Sequence, residues 1–526
     1  MNIGRGKKVN IEYVSANPTG PMHIGHARGA VFGDVLANIK KQCGYDVSKE
    51  YYINDAGSQI DILIDSFILR YKEIITKKEI SIPEGMYPGK YLKHLALDVY
   101  NEHGTSLIDN YDQDLSEIKR EKIKNIVIDK MMKIIKADLN DIGVYHDVFF
   151  SETSLHKNKK ISNTIDLIKK HGLVYYGILP PPKGKTDQTN EEIHNNSLKK
   201  QLLFASSKYG DDSDRPLEKS PGVWSYFAAD VAYAQDKIER GFKELIYILG
   251  ADHTGYIKRL ESVINALSDN YCNRVIDTSN IKNKNEKNNQ EFISGFYDPD
   301  EIYKYDFPYT DEIDPSKRTP ITPVITTNQL VNFIKDGKPY KMSKRSGNFM
   351  TVRDVLDEVG RDVLRFIMIT RKSDIVIDFD FDKVKQQSKD NPIFYIQYAH
   401  ARTNSILRLV EKNNQEAFKI FKSCNADLSL IKTEEEIHFI KLLSSWPKII
   451  EAAAKYHEPH RLAYYLINVA SNFHSIWHLG KTKDDYRFNI QDNANLTAAR
   501  LTLVKAAKKI IKKGLELIGI EAVDSM

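Results

Sequence analysis

Two short clusters have the residue types and spacing for nucleotide chemistry. The first is His23-Ile24-Gly25-His26, placed where a β-branched run, KKVNIEYV, passes through an Asn-, Pro- and Gly-rich turn into a helical pattern. Backbone N–H groups at the start of a helix form an anion site favoured by the helix dipole. His23 and His26 share one face there and can donate to phosphate oxygens, while Gly25 lets a base or ribose approach the backbone. Fixed donors of this kind suit attack on an α-phosphate, where charge builds on oxygen. A bare HxGH is as often an ordinary helix start, and the strand and turn ahead of it supply the context that favours chemistry. The second cluster is Lys341-Met342-Ser343-Lys344-Arg345, bracketed by Asp336-Gly337 and Ser346-Gly347. Alone it is more often a solvated basic turn. Its place far downstream of the first cluster makes it a candidate flexible loop whose cations neutralise departing pyrophosphate.

A third pattern concerns a cationic substrate. Tyr226 and Asp230 are four apart in a helical stretch, SYFAADVAYAQDKIERG, so both project from one face. A carboxylate beside an aromatic ring suits a planar guanidinium, which takes bidentate oxygen partners and a π surface. The alternative is an amphipathic helix with Tyr226 in the core and Asp230 paired with Lys237 or Arg240.

These residues need a scaffold. Strand KKVNIEYV, a helix from about His23 closed by Gly44, and strand DVSKEYYI form a βαβ unit of a parallel, doubly wound sheet. The sheet pattern resumes at the Tyr226 helix, strand ELIYILG and a helix ADHTGYIKRLESVINAL. The fold expected is therefore α/β, with a Rossmann-like catalytic domain over 1–56 and 216–389 and an insertion over 57–215. Within it, the Asn- and Lys-rich 273–318 reads as a surface excursion without chemistry. From about 390 to 526 the pattern is helical throughout and implies a separate bundle. There, Tyr395, Tyr398 and Arg402 have a spacing that could offer stacking and phosphate contacts to unpaired bases, although most such aromatics in a helical bundle are core.

Composition excludes more than it selects. Lys and Arg total 76 against 71 Asp and Glu, an excess compatible with an RNA partner and with an ordinary basic enzyme alike. No apolar run is long enough to span a bilayer, and MNIGRGKKVNIEYV lacks a secretory h-region. Three cysteines, Cys43, Cys272 and Cys424, sit far apart and never as CxxC, so a cytoplasmic location is expected, with no disulfide framework and no protein-held metal.

The ordered pair HIGH and KMSKR resembles the two marks of class I aminoacyl-tRNA synthetases. Three longer segments resemble the arginine-specific branch: Ser15-Ala16-Asn17-Pro18-Thr19-Gly20-Pro21 running into HIGH, Tyr226 to Asp230, and Gly250-Ala251-Asp252-His253. The resemblance covers about 9–272 and 320–526. It implies an arginyl-tRNA synthetase that uses ATP with Mg2+, L-arginine and tRNA(Arg), acts as a monomer, and has an anticodon-binding bundle. It implies catalytic roles for His23, His26, Lys341 and Lys344. ATP would meet His23, Gly25, His26, Gly250, Asp252, Met342, Ser343 and Lys344. Arginine would meet Ser15, Asn17, His26, Tyr226, Asp230 and His253. Arginine enzymes of this type usually carry a module ahead of the first strand, which starts here about nine residues after Met1. Without that module a weaker grip on tRNA is expected. A small nucleotidylyltransferase and a non-catalytic synthetase-like RNA-binding protein are the alternatives.

Overall fold

A computed structural model describes residues 2–108, 115–179, 200–273, 320–339, 350–385 and 391–526. Five parallel strands form the central sheet: β1 (Lys8–Tyr13), β2 (Asp46–Ile53), β3 (Val148–Ser151), β4 (Glu244–Gly250) and β5 (Thr322–Asn328). Their order is β5-β4-β1-β2-β3, with Val9 opposite both Val47 and Glu244. β4 reads as a near-continuous apolar run because helices cover both faces, whereas β1 alternates Val9, Ile11 and Tyr13 with the buried polar Asn10 and Glu12; Val9, Ile11, Tyr13, Leu245 and Ile246 are fully buried. The strand order reverses between β1 and β4, and that switch point is where ligands bind in open α/β sheets.

Helix α1 (Ala27–Gln42) follows β1 after one 3-10 turn, Ile24–His26, so the helix expected from His23 begins tightly wound. It is buried on nearly every side, between the sheet and the C-terminal helices. Gly33 permits this, since a Cβ there would run into the Tyr13 ring of β1. At its far end Gly44 takes φ +84°, the left-handed stop anticipated for it.

The crossover from β2 to β3 is long: helices Ser58–Thr76, Lys90–His103 and Glu117–Asp141 intervene. β3 thus lies inside the 57–215 span expected to be one insertion, and that span contributes a strand to the main sheet. Four half-buried residues, VFFS, at a sheet edge give no periodic signal. What leaves the sheet is the later part, with a small antiparallel sheet of Val174–Gly177, Gln201–Phe204 and Arg215–Pro216. The stretch ADHTGYIKRLESVINAL, expected as one helix, is a 3-10 segment, Ala251–Tyr256, followed by an α-helix, Ile257–Asn273. The 273–318 excursion lies outside the described residues from 274 onward.

Beyond β5, Val331–Lys335 turns back through Asp336 and Gly337, both at positive φ, into Lys338–Pro339. An Asp-Gly pair favours this two-residue hairpin. The bundle comprises six helices among the described residues: Pro392–Asn413, Gln415–Lys422, Glu434–Ser444, Trp446–Tyr456, His460–Thr482 and Ala494–Ile518. Asn391 caps the first, with Pro392 at its opening position.

One buried cation joins sheet and bundle. Arg365, fully buried, donates to Ile518 O at 2.7 Å, Ile142 O at 2.8 Å, Gly143 O at 3.0 Å and Asp34 Oδ2 at 2.5 Å. The ends of the Glu117–Asp141 and Ala494–Ile518 helices therefore meet α1 at one guanidinium. A Cβ at Gly519, whose φ is +77°, would sit 2.7 Å from Arg365 Cζ. Among the described residues no helix is long and apolar enough to cross a membrane.

Candidate active site

The turn leaving β1 is strained. Val14 and Ser15 take φ +70° and +40°, positions that cost non-glycine residues about 1–3 kcal/mol each. Neighbours hold them there. Ser15 Oγ donates to Glu12 Oε1 at 3.0 Å and accepts the Tyr52 N–H at 3.1 Å, and Tyr51 donates its hydroxyl to Ala16 O at 2.7 Å. A hydroxyl has one donor and two lone pairs, so these two bonds leave Ser15 one lone pair. Asn17 donates to Gln59 Oε1 at 2.6 Å.

His23 and His26 do come together: their rings stack at 3.7 Å with 21° between planes. Gly25 lies under the His23 ring, where a Cβ would be 2.9 Å from Cε1 and Nδ1. Glycine is thus needed to seat the histidine, and not only to admit a base or ribose. The segment is tied into its surroundings by Met22 N–H donating to Asp138 Oδ2 at 3.1 Å, and by two backbone bonds to the stretch after KMSKR. In these, Ile24 N–H donates to Met350 O at 3.2 Å and Val352 N–H to Met22 O at 2.9 Å. Lys341, Met342, Ser343 and Lys344 themselves lie outside the described residues.

At the end of β4, Gly250 accommodates the Asp252 carboxylate, which folds back over it. Asp252 and His253 project into solvent, 80% and 61% exposed, with 3.6 Å between Oδ2 and Nε2. They stand at the carboxyl edge of β4, next to that of β1.

The helix Tyr226–Glu239 delivers the third pattern. The alternative pairings of Asp230 do not occur. Lys237 bonds Glu12 at 2.6 Å between the rings of Tyr233 and Tyr247, and Arg240 forks onto Glu50 at 2.7 and 2.8 Å. Asp230 instead accepts the Tyr256 hydroxyl, and among the described residues no Lys or Arg forms an ion pair with it. Burial, then the charges of Glu152 and Glu12, push its carboxyl well above the usual range. Glu152, buried at the start of the helix after β3, is pushed up to about 7, by burial first and Asp55 second. Asp55 is held by Ser151 Oγ at 2.5 Å and Thr153 N–H at 2.8 Å. Tyr226 is half-exposed beside this cluster, its ring 3.8 Å from Lys219 Nζ and its hydroxyl against Gly57. Arg259 and Lys219 lower the Asp230 and Glu152 carboxyls only in part, so carboxylates at this density can receive a further positive charge. Glu152, Asp55, Glu12 and Tyr256 escape sequence reasoning because they come singly from the ends of different elements. An acid directly after a strand, as in FFSE, was the one available cue.

In the bundle, Arg402 lies 4.2 Å over Tyr398 and 5.0 Å over Trp477 and bonds His474 Nδ1 at 2.9 Å. Tyr395 packs 4.3 Å from His474, whereas Tyr398 is 43% exposed, so the cluster opens to solvent through Tyr398 and is not simply core.

Comparison with known proteins fits this geometry. Residues 1–177 match the catalytic domain of class I tRNA synthetases of the arginine type, 314–382 match the class I group for isoleucine, leucine, methionine and valine, and 396–526 match the DALR anticodon-binding domain. An arginine–tRNA ligase of Rickettsia bellii is 49% identical over all of this chain and 81% of its own length; that of Rickettsia akari is 48% identical with the same coverage. The chain belongs to the arginine–tRNA ligase family. A Campylobacter jejuni structure assigned to the arginyl-tRNA synthetases matches at TM-score 0.74 and 29% identity, covering 99% of this chain and 94% of that one. The Thermus thermophilus arginyl-tRNA synthetase, 17% identical at TM-score 0.62 over 99% of this chain and 83% of its own, shares the fold. Within the arginine–tRNA ligase family, then, this chain sets HIGH at a sheet switch point, with an acidic cluster around Asp230 and Glu152.

Proposed function

We propose that arginine binds with its guanidinium between Asp230 and Glu152, against Tyr226, and with its α-amino and carboxylate end near Ser15, Asn17, His26 and His253. Family membership makes the chain an arginine–tRNA ligase, which activates arginine with ATP and transfers it to the 3′ end of tRNA. ATP, entering with Mg2+, lies across the switch point with its phosphates at His23, Gly25 and His26 and its ribose at Gly250 and Asp252. Lys341, Met342, Ser343 and Lys344 also serve the ATP phosphates, their cations neutralising the departing pyrophosphate. The arginine carboxylate attacks the α-phosphate in line, pyrophosphate departs, and the terminal tRNA ribose hydroxyl takes the aminoacyl group. No side chain acts as covalent nucleophile; positioning and charge stabilisation carry the rate.

The observation that carries this reading is Asp230, held beside Glu152 with no protein cation bonded to it. A guanidinium supplies the missing charge and a fork for two carboxylates, where a lysine ammonium supplies a point. The bundle takes the anticodon end of tRNA, action is as a monomer, and the location is the cytoplasm. Support for the compartment comes from three cysteines set far apart in the sequence and never as CxxC. ATP–pyrophosphate exchange with each amino acid, with and without tRNA, tests it. Exchange specific to arginine is expected. Exchange independent of amino acid would point to a nucleotidylyltransferase, and none at all to a non-catalytic RNA-binding protein.

A further inference from the structure

His23 has a second set of anchors, outside its own helix. The bonds from Ile24 N–H to Met350 O and from Val352 N–H to Met22 O enclose His23 opposite Thr351 as a short antiparallel bridge. Thr351 in turn caps the helix Val352–Val359 through a capping box with Asp354, so this side of the bridge is rigid. Across the bridge stands Asp138, near the end of the long helix Glu117–Asp141 and 4% exposed. One of its oxygens takes the N–H of Met22, itself 1% exposed; the other faces Arg353 Nη2 at 3.6 Å. Arg353 also pairs with Asp141. A carboxylate this buried is costly unless both oxygens are engaged, and here one is spent on each side of the bridge. Burial pushes the Asp138 carboxyl up, and the Met22 N–H and Arg353 offset that only in part, so its charged form depends on both contacts.

We propose that Asp138 and Arg353 are positioning residues for arginine activation. They clamp the Met22–Ile24 segment, and with it the His23 ring, to the Met350–Val352 stretch. The HIGH turn and the chain leaving KMSKR then keep one mutual placement, set from a helix outside the nucleotide cleft. The proposal rests on reading His23 as part of the ATP site. It separates from arginine recognition, because Asp230, Glu152 and Tyr226 come from other elements.

The test is arginine-dependent ATP–pyrophosphate exchange by the full chain, with tRNA present, for Arg353→Ala, Asp138→Asn, their double variant and Arg353→Lys. Displacing a reacting group by an ångström can cost about 100-fold, so kcat should fall by about 10-fold or more in Arg353→Ala and in Asp138→Asn. KM for arginine should stay within about twofold, the pattern of an interaction felt in the transition state. The double variant should be no worse than the poorer single, as for two parts of one contact, and Arg353→Lys should recover part of the loss. Arg353 is 55% exposed, so its truncation should leave the melting temperature within about two degrees of the parent. Parental kcat in both single variants, or equal loss of kcat, arginine affinity and melting temperature in Arg353→Ala, would overturn the clamp. His23→Ala is run alongside: if it keeps parental turnover, the reading of the ATP site fails instead.

Discussion

Glu152→Gln should make the protein more stable and a poorer enzyme at once. In the folded chain the Glu152 carboxyl sits near 7, against 4.5 for an ordinary glutamate, because burial and Asp55 oppose its charge. At 1.36 kcal/mol per pH unit of displacement, the charged form is disfavoured by about 3 kcal/mol. The folded-state value is the raised one, so the protonated form's advantage is complete below about pH 4.5. It is lost as pH climbs through about 7. A neutral glutamine of the same shape escapes that loss. The variant should match the parent near pH 4.5 and exceed it by up to about 3 kcal/mol at pH 8. Added arginine should reverse the ranking: a guanidinium relieves the repulsion in the parent, while the variant has half the fork to offer. Thermal denaturation of both proteins between pH 4.5 and 8, with and without arginine, measures the two effects together. A difference in melting temperature that ignores pH, or an equal gain from arginine in both proteins, would refute the acidic-receptor argument.

Asp230→Asn should raise KM for arginine far more than KM for ATP, since breaking a buried charge pair costs about 3–5 kcal/mol; steady-state kinetics with each substrate varied shows it. KM for arginine should fall as pH rises toward 7, because binding must first remove the proton Glu152 holds in the empty pocket; a flat profile from pH 5.5 to 8 would count against this. Lys344→Ala should cut the rate of adenylation by about 100-fold with little change in arginine affinity, the usual loss for one donor acting only in the transition state. Single-turnover measurement of arginyl-adenylate formation decides that case.

Legibility from sequence followed contact range. β1, α1, β2 and β4 could be placed because each is a continuous run whose burial writes itself into the residue pattern. HIGH, Tyr226–Asp230 and Gly250–His253 were visible as local strings, and the sheet then brought all of them to one edge. β3 was not visible, because four residues at an edge have no period to read and three helices separate them from β2. Glu152 and Asp55 were missed for the same reason: nothing in FFSE or NDAG marks a carboxylate as facing another brought in from a distant helix. The Lys237–Glu12 and Arg240–Glu50 pairs show the converse. Spacing along a helix offered both cations to Asp230, and the sheet claimed both for its own strands.

The Arg365 junction bears on how such enzymes can be taken apart and recombined. A guanidinium with no solvent exposure has its donors shared among three helices, and one acceptor, Ile518 O, is the last turn of the chain's final helix. Removing the bundle would leave that donor facing nothing and strip the outer flank of α1, the helix that begins at HIGH. Grafting a foreign bundle is constrained as well. Its last helix must stop at the same height and be followed by glycine, because any side chain at the position of Gly519 would overlap the Arg365 head group. Chimeras within the family are therefore best cut inside loops that leave Arg365, Asp34 and Gly519 together from one parent.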